Sequence, residues 1–279
     1  MCELFGVSCS HCVQINDYLE SFYKHCENHP HGWGLALMQD NQSIIDKQPM
    51  KALDSEYLRQ LLDSPIFAEH AFAHIRLATM GYIDSFNCHP FLNIDKTGRT
   101  WTLIHNGTIF KSELLDKYIS SQIGETDSER VLMYIIDKIN EIESKRSEPL
   151  DDKEMFHLLE TIISTLAEGN KLNLMIYNGS TMYIHTNCDG GIHYLEKNDT
   201  IYFSTTKLSD ENWKKVPINT VYAIKNGSVI YKGKKHEYEY ILSEDQFKFL
   251  LEIMSPEMKA GLIEQFGELS AEKIIHPSK

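Results

Sequence analysis

The sequence predicts an α+β domain in which two β-sheets pack against each other and helices cover them. Short strand patterns come first along the chain, two amphipathic segments follow, and a second group of strand patterns comes after these. Strands on both sides of a helical pair favour a layered α+β domain. The length of 279 residues and the 42% content of hydrophobic residues are sufficient for a large buried core.

The first group of strand patterns lies in the N-terminal part of the chain. Each pattern is short, mostly apolar and bounded by Gly, Asn or Asp, as strands commonly are. The predicted strands cover residues 4–7, 33–38, 42–46, 71–77 and 102–105.

Two amphipathic segments in the middle of the chain predict helices that cover a sheet. Each has an apolar stripe at helical spacing, and a polar turn at 144–154 separates them. The first helix begins at Thr126, which stands three residues before Glu129 with the spacing of a capping box. The stripes consist of Val131, Leu132, Ile135, Ile136, Ile139 and Ile142 in the first helix, and of Phe156, Leu159, Ile162, Ile163 and Leu166 in the second.

The second group of strands contains two predicted hairpins. An Asn-Gly pair between apolar runs is a strong signal for a tight β-turn, and such pairs occur at 178–179 and 226–227. The predicted strands are 172–177 with 182–185, 221–225 with 229–231, and a further strand at 200–205.

The chain shows no domain boundary before about residue 240. We therefore expect one domain over residues 1–240 and a short helical appendage over 241–279. A capping box at 243–246 opens the first appendage helix, with Phe247, Leu250, Leu251 and Met254 on one face, and Pro256 opens a second. Packing of these helices on the same domain is favoured over a partner-binding arm.

The net charge of −13 disfavours nucleic acids and anionic membrane surfaces as partners, because the surface repels phosphate groups. Apolar runs are far shorter than the ~20 residues that a membrane-spanning helix needs. The N-terminus lacks the pattern of a secretory signal. These features predict a soluble cytoplasmic protein whose six cysteines are reduced.

No metal or other cofactor is expected. Cys9 and Cys12 have the spacing of a redox or zinc motif, but no second cysteine pair with that spacing exists and no βαβ pattern surrounds them. None of the 13 histidines forms a His-Glu-x-x-His motif. Cys26, Cys88 and Cys188 are expected to pack as small apolar side chains.

Cys2 is the first candidate nucleophile. Removal of Met1 would leave a thiol and a free α-amine on the same residue. The amine has an unperturbed pKa near ~7.7–8, so it can accept the thiol proton at neutral pH. By itself, however, a cysteine at this position is weak evidence for catalysis.

Five other residues suit the recognition of an amino acid and its amide. Arg76 ends a predicted strand, where its guanidinium could hold a carboxylate with help from the Thr79 hydroxyl, although a surface ion pair is the alternative. Asn106 and Gly107 could form an oxyanion hole, although a type I′ turn is the default interpretation of Asn-Gly. Asp127 could bind an ammonium group or simply favour the start of a helix.

The order of six short motifs makes a stronger case than any one of them. The sequence resembles the class II glutamine amidotransferases, a family of N-terminal-nucleophile hydrolases, and in particular the stand-alone members related to predicted glutamine amidotransferases and γ-glutamyl hydrolases. The resemblance covers roughly residues 1–240. The motifs are MCELFG at 1–6, HGWGLA at 31–36, HIRLAT at 74–79, NCHPF at 87–91, HNG at 105–107 and TDSE at 126–129.

The resemblance implies a four-layer αββα sandwich of two mainly antiparallel sheets and a role for each candidate residue. Cys2 would be the nucleophile and its own α-amine the base, and Asn106 with Gly107 would form the oxyanion hole. Arg76, helped by Thr79, would hold the substrate α-carboxylate. Asp127 would hold the α-ammonium group. No cofactor is implied.

Three residues depart from the family pattern, and two of them weaken the case for a gated ammonia channel. Leu77 and Met80 replace the Trp and His that often accompany ammonia channelling, and His31 replaces an Asp. We expect hydrolysis of the γ-amide of glutamine or of a γ-glutamyl compound through a Cys2 thioester. The alternatives are a glutaminase subunit that supplies ammonia to a separate synthetase chain, and a non-catalytic γ-glutamyl-binding regulatory protein, which retention of Met1 would favour.

Overall fold

Apolar strand segments pair into two antiparallel sheets. The computed structural model describes residues 2–39, 41–111 and 113–253, and the elements below are those of these residues. The strands are β1 Glu3–Gln14, β2 Trp33–Gln39, β3 Gln42–Gln48, β4 Phe67–Ile75, β5 Phe91–Ile94, β6 Thr100–Thr108, β7 Lys171–Tyr177, β8 Met182–His185, β9 His193–Lys197, β10 Thr200–Ser204, β11 Lys214–Lys215, β12 Tyr222–Lys225 and β13 Ser228–Lys232.

Five α-helices accompany these strands in the described part of the chain. They are α1 Asn16–Tyr23, α2 Glu56–Leu62, α3 Asp127–Glu143, α4 Asp152–Ala167 and α5 Glu244–Ile253. One sheet has the strand order β11-β9-β10-β1-β4-β2-β3, and the other has the order β13-β12-β8-β7-β6-β5.

Three apolar clusters hold four layers together. Residues of both sheets, such as Leu4, Phe72 and Ile104, form the cluster between the sheets. Leu19 of α1 and Leu58 of α2 pack on the outer face of the seven-stranded sheet. The stripes of α3 and α4 cover the outer face of the six-stranded sheet, except for Ile142 of the predicted α3 stripe, which is 36% exposed. The predicted α+β sandwich with αββα layers is therefore confirmed.

Both predicted hairpins are present. Asn226 and Gly227 connect β12 to β13 with φ of 51° and 71°. Positive φ at both central residues is what a type I′ turn requires. The link from β7 to β8 is longer and is held by Asn178, whose side-chain oxygen accepts the N–H groups of Ser180 and Thr181 at 3.2 and 2.9 Å.

The structure contains several elements that the sequence did not predict. Strand β1 continues to Gln14, well past residue 7, because its second half pairs with β4 around a register shift although its side chains there are mostly exposed. The other unpredicted elements, with short or mixed apolar patterns, are β5, β9, β11, α1 and α2.

Helix starts match their sequence signals in part. The Thr126 hydroxyl accepts the Glu129 N–H at 3.2 Å, but the Glu129 carboxylate accepts from Ile123 and Gly124 rather than closing a capping box. At α5 the capping box is complete, since Ser243 and Gln246 bond reciprocally.

Helix α5 contacts the body of the sandwich. The Gln246 amide donates to Gly169 O at 3.0 Å, and the Phe249 ring lies 6.0 Å from that of Phe110. The second appendage helix, predicted at Pro256, lies outside the described residues, and the division at residue 240 stays a prediction.

Candidate active site

Cys2 lies where the ends of strands from both sheets meet. It precedes β1, whose first residue Glu3 is opposite Ile75 at the end of β4. The Cys2 thiol is 3.5 Å from Leu77 O. From the other sheet, the Asn106 side-chain amide donates a hydrogen bond to Cys2 O. The fold thus brings together residues that are far apart in sequence.

Asn106 and Gly107 lie inside β6, so the default interpretation of this Asn-Gly pair as a type I′ turn is wrong. They pair with Asn173 and Leu172 of β7. A β-carbon at Gly107 would come within 1.9 Å of Lys171 O, so this position requires glycine. Asn106 is 6% exposed, and its Oδ1 atom has no hydrogen-bond partner among the described residues.

Arg76 follows β4 and is only 2% exposed. Its guanidinium donates to the carbonyl oxygens of Met80 at 2.8 Å, Gly81 at 3.4 Å and Tyr82 at 2.9 Å. The loop that contains half-buried Thr79 is therefore wrapped around the arginine. A guanidinium has five N–H donors, so these three bonds leave donors for a ligand.

Asp127 opens α3 and is buried, with 6% exposure. Its carboxylate accepts the Ile109 N–H at 2.8 Å and the Ser128 hydroxyl at 3.3 Å. Ser128 also bonds His105 Nδ1 at 2.9 Å. This chain of contacts ties the start of α3 to the end of β6.

Electrostatic interactions connect the Cys2 thiol to both charged candidates. Burial raises the pKa of Cys2, the Arg76 guanidinium lowers it, and the Asp127 carboxylate raises it. Cys2 therefore lies within electrostatic range of both Arg76 and Asp127. A thiol with a raised pKa needs a base in order to react at neutral pH.

Sequence reasoning missed two residues that hold the Arg76 loop. His31 Nδ1 accepts the Ala78 N–H at 2.9 Å, and burial lowers the pKa of His31, which favours the neutral acceptor form. Asn87 donates to Tyr82 O at 3.1 Å and accepts the Glu125 N–H at 2.7 Å. Both residues lie in the six motifs, but only the structure gives them a role.

The Cys9 and Cys12 pair lies on β1, away from these residues. Cys9 is buried, and burial raises its pKa to about 11, whereas Cys12 is exposed. Within residues 2–39, 41–111 and 113–253, no three His, Cys, Asp or Glu side chains form a group suited to a metal ion. The same ranges contain no helix with the length and hydropathy of a membrane span.

Comparison with known proteins identifies the family of this chain. A model of the class II glutamine amidotransferases matches residues 1–199. The chain belongs to that family. This membership supports an enzymatic role in hydrolysis or transfer of the glutamine amide, and it confirms the resemblance that the six motifs indicated.

Individual relatives are distant. The uncharacterized protein MJ1515 of Methanocaldococcus jannaschii is 28% identical over 266 residues, covering 84% of this chain and 72% of its own length. The crystal structure of a predicted glutamine amidotransferase from Pseudomonas aeruginosa PA01 has a TM-score of 0.59 at 18% identity and covers 82% of this chain and 99% of its own.

A second solved structure shares the fold with a longer protein. The B. subtilis glutamine phosphoribosylpyrophosphate amidotransferase, complexed with ADP and GMP, has a TM-score of 0.61 at 15% identity. The match covers 84% of this chain but 49% of that one. At these identities the two structures establish the shared fold alone.

Proposed function

We propose that this protein hydrolyses the γ-amide of glutamine or of a γ-glutamyl compound through a thioester on Cys2. The observation that carries the proposal is the contact between Asn106 and Cys2, which joins the candidate oxyanion donor of one sheet to the candidate nucleophile beside the other. Buried Arg76 and Asp127 supply opposite charges at the same site.

The two charges match the two charged groups at one end of the proposed substrate. A γ-glutamyl amide carries an α-carboxylate and an α-ammonium group at one end and the reactive carbonyl at the other. Arg76 would bind the carboxylate with the donors that the loop leaves free, Thr79 would add a hydroxyl, and Asp127 would bind the ammonium group. Asn106 and Gly107 would then receive the carbonyl oxygen.

The reaction needs no group beyond the processed chain and water. The Cys2 α-amine accepts the thiol proton, and Sγ attacks the γ-carbonyl carbon to form a tetrahedral oxyanion. Collapse breaks the C–N bond, and the leaving amine takes the proton from the ammonium. Water then attacks the thioester, which breaks the S–C bond and restores the thiol with release of the γ-carboxylate.

The first test is glutamate release by the Cys2→Ala variant. We expect no release above background and an unchanged unfolding temperature, because the side chain is at a strand end outside the three apolar clusters. Cys12→Ala, which truncates an exposed cysteine of β1, should keep full activity. Activity in Cys2→Ala equal to that of the parent would eliminate the thioester mechanism.

A further inference from the structure

Lys171 is a buried cation on the same face of the sheet as Asn106. It begins β7, in which alternate residues Lys171, Asn173 and Met175 share one face. Met175 belongs to the apolar cluster between the sheets, so this face points toward the other sheet. The register pairs Asn106 with Asn173 and Thr108 with Lys171. Lys171 is therefore the diagonal neighbour of Asn106 across the strand pair.

Two thiols interact with the Lys171 ammonium group. The side chain is 7% exposed, which is unusual for lysine. Burial lowers the pKa of Lys171, and the thiolates of Cys188 and Cys2 raise it. Burial lowers the pKa of His105, and the Lys171 ammonium lowers it further, against the effect of the Asp127 carboxylate. Lys171 thus lies within electrostatic range of the candidate nucleophile.

The candidate site needs such a charge. Burial disfavours the Cys2 thiolate, and a tetrahedral oxyanion would be a second negative charge in the same poorly hydrated place. The guanidinium of Arg76 is already bonded to three loop carbonyls and, under the proposed function, also holds the substrate carboxylate. A further cation on the Asn106 face would balance the charge formed during reaction.

We propose that Lys171 is a positioning and charge-stabilising residue that keeps its proton and favours the Cys2 thiolate and the oxyanion beside Asn106. No proton moves to or from Lys171 in this role. The effect of Lys171 on the oxyanion rests on the proposed function. Its effect on the Cys2 thiolate does not, because that effect concerns the free protein and can be measured without a substrate.

The test measures alkylation of Cys2 by iodoacetamide across pH 6–10, resolved by peptide mass spectrometry. Exposed Cys12 in the same sample serves as the internal reference. Lys171→Met and Lys171→Gln should move the midpoint of the Cys2 profile measurably to higher pH, as expected when an opposite charge nearby is removed. Lys171→Arg should keep it near the parent value.

The matched control is Lys225→Met, which removes a lysine that pairs with Asp152 on the outside of the sandwich at 2.8 Å. It should leave the Cys2 profile unchanged. A Cys2 midpoint in Lys171→Met and Lys171→Gln equal to that of the parent would overturn the proposal. If the shift occurs in a chain that releases no glutamate, the charge role of Lys171 survives and the proposed function fails.

A reciprocal measurement covers the case in which both uncharged variants fail to fold. Side-chain NMR of isotope-labelled lysine follows the titration of Lys171 in the parent chain, with Lys171→Arg assigning its signal. In a Cys188→Ala chain, which removes the other thiol that acts on Lys171, blocking Cys2 with iodoacetamide removes the Cys2 thiolate and should lower the pH at which Lys171 titrates. An unchanged Lys171 titration after the block contradicts the inference.

Discussion

The two halves of the candidate site are built differently. Asn106 and Gly107 lie within a strand, and seven residue pairs between β6 and β7 fix their backbone. Arg76 and Thr79 lie beyond the end of β4, in a loop that the Arg76 guanidinium itself holds through three carbonyl bonds. Backbone pairing in the sheet therefore holds Asn106 and Gly107 in place, whereas side-chain hydrogen bonds hold the loop that contains Arg76 and Thr79.

Because of this difference, substitutions in the strand and in the loop are expected to change different kinetic constants. A preorganised donor on a strand acts mainly on the transition state, so its loss should lower kcat. A loop that binds the ground-state carboxylate and ammonium groups acts on substrate affinity, so its loss should raise KM. Variants in each half test whether the two roles are distinct.

The largest effect in this comparison is expected from Asn106→Ala. Removal of one oxyanion donor should lower kcat roughly 10²–10³-fold with a small change in KM. The matched control is Asn178→Ala, which removes a buried Asn that holds the β7–β8 link through its Oδ1 atom. That variant should lose stability without a comparable loss of kcat. A large change in KM alone for Asn106→Ala would contradict the assignment.

A smaller effect, on KM, is expected from Arg76→Lys. An ammonium cannot form the forked contacts of a guanidinium, so KM for a γ-glutamyl substrate should rise roughly tenfold to a hundredfold. Asp127→Asn should act in the same direction. Arg146→Lys, at a surface ion pair with Glu154, is the control and should change neither constant. Unchanged KM in both site variants would mean that the substrate polarity is assigned wrongly.

The smallest effect is expected from Asn87→Ala, which breaks the tie between the Arg76 loop and the turn before α3. Loss of these buried contacts should lower the free energy of unfolding by about 1–3 kcal/mol and raise KM less than Arg76→Lys does. Asn93→Ala is the control, because among the described residues the Asn93 side-chain oxygen accepts a hydrogen bond only from the next N–H, that of Ile94. A fall in kcat at constant KM would show that the loop acts on the chemical step.

The sequence was most informative where side-chain pattern determines structure. The stripes of α3 and α4 and the Asn226-Gly227 turn could be predicted, because burial and positive φ restrict the residue types. The second half of β1 and the short helices α1 and α2 could not, because backbone pairing and tertiary packing decide them.

Within the site, the candidate residues could be named from motif order, but their contacts could not. Nothing in the local sequence distinguishes Asn106 in a strand from Asn226 in a turn, since both precede Gly. The contact of His31 with Ala78 and the approach of Lys171 to the site depend on pairings between distant segments.

The most direct test of the central claim is labelling of the chain by 6-diazo-5-oxo-L-norleucine, an electrophilic glutamine analogue, with and without Met1. In the processed form we expect one label on Cys2, protection by glutamine, and a rate that rises with pH as the α-amine, unperturbed near ~7.7–8, loses its proton. With Met1 retained, the Cys2 nitrogen is an amide and labelling should be slow. Equal rates for the two forms would contradict the N-terminal base, and a label on another residue would contradict Cys2 as the nucleophile.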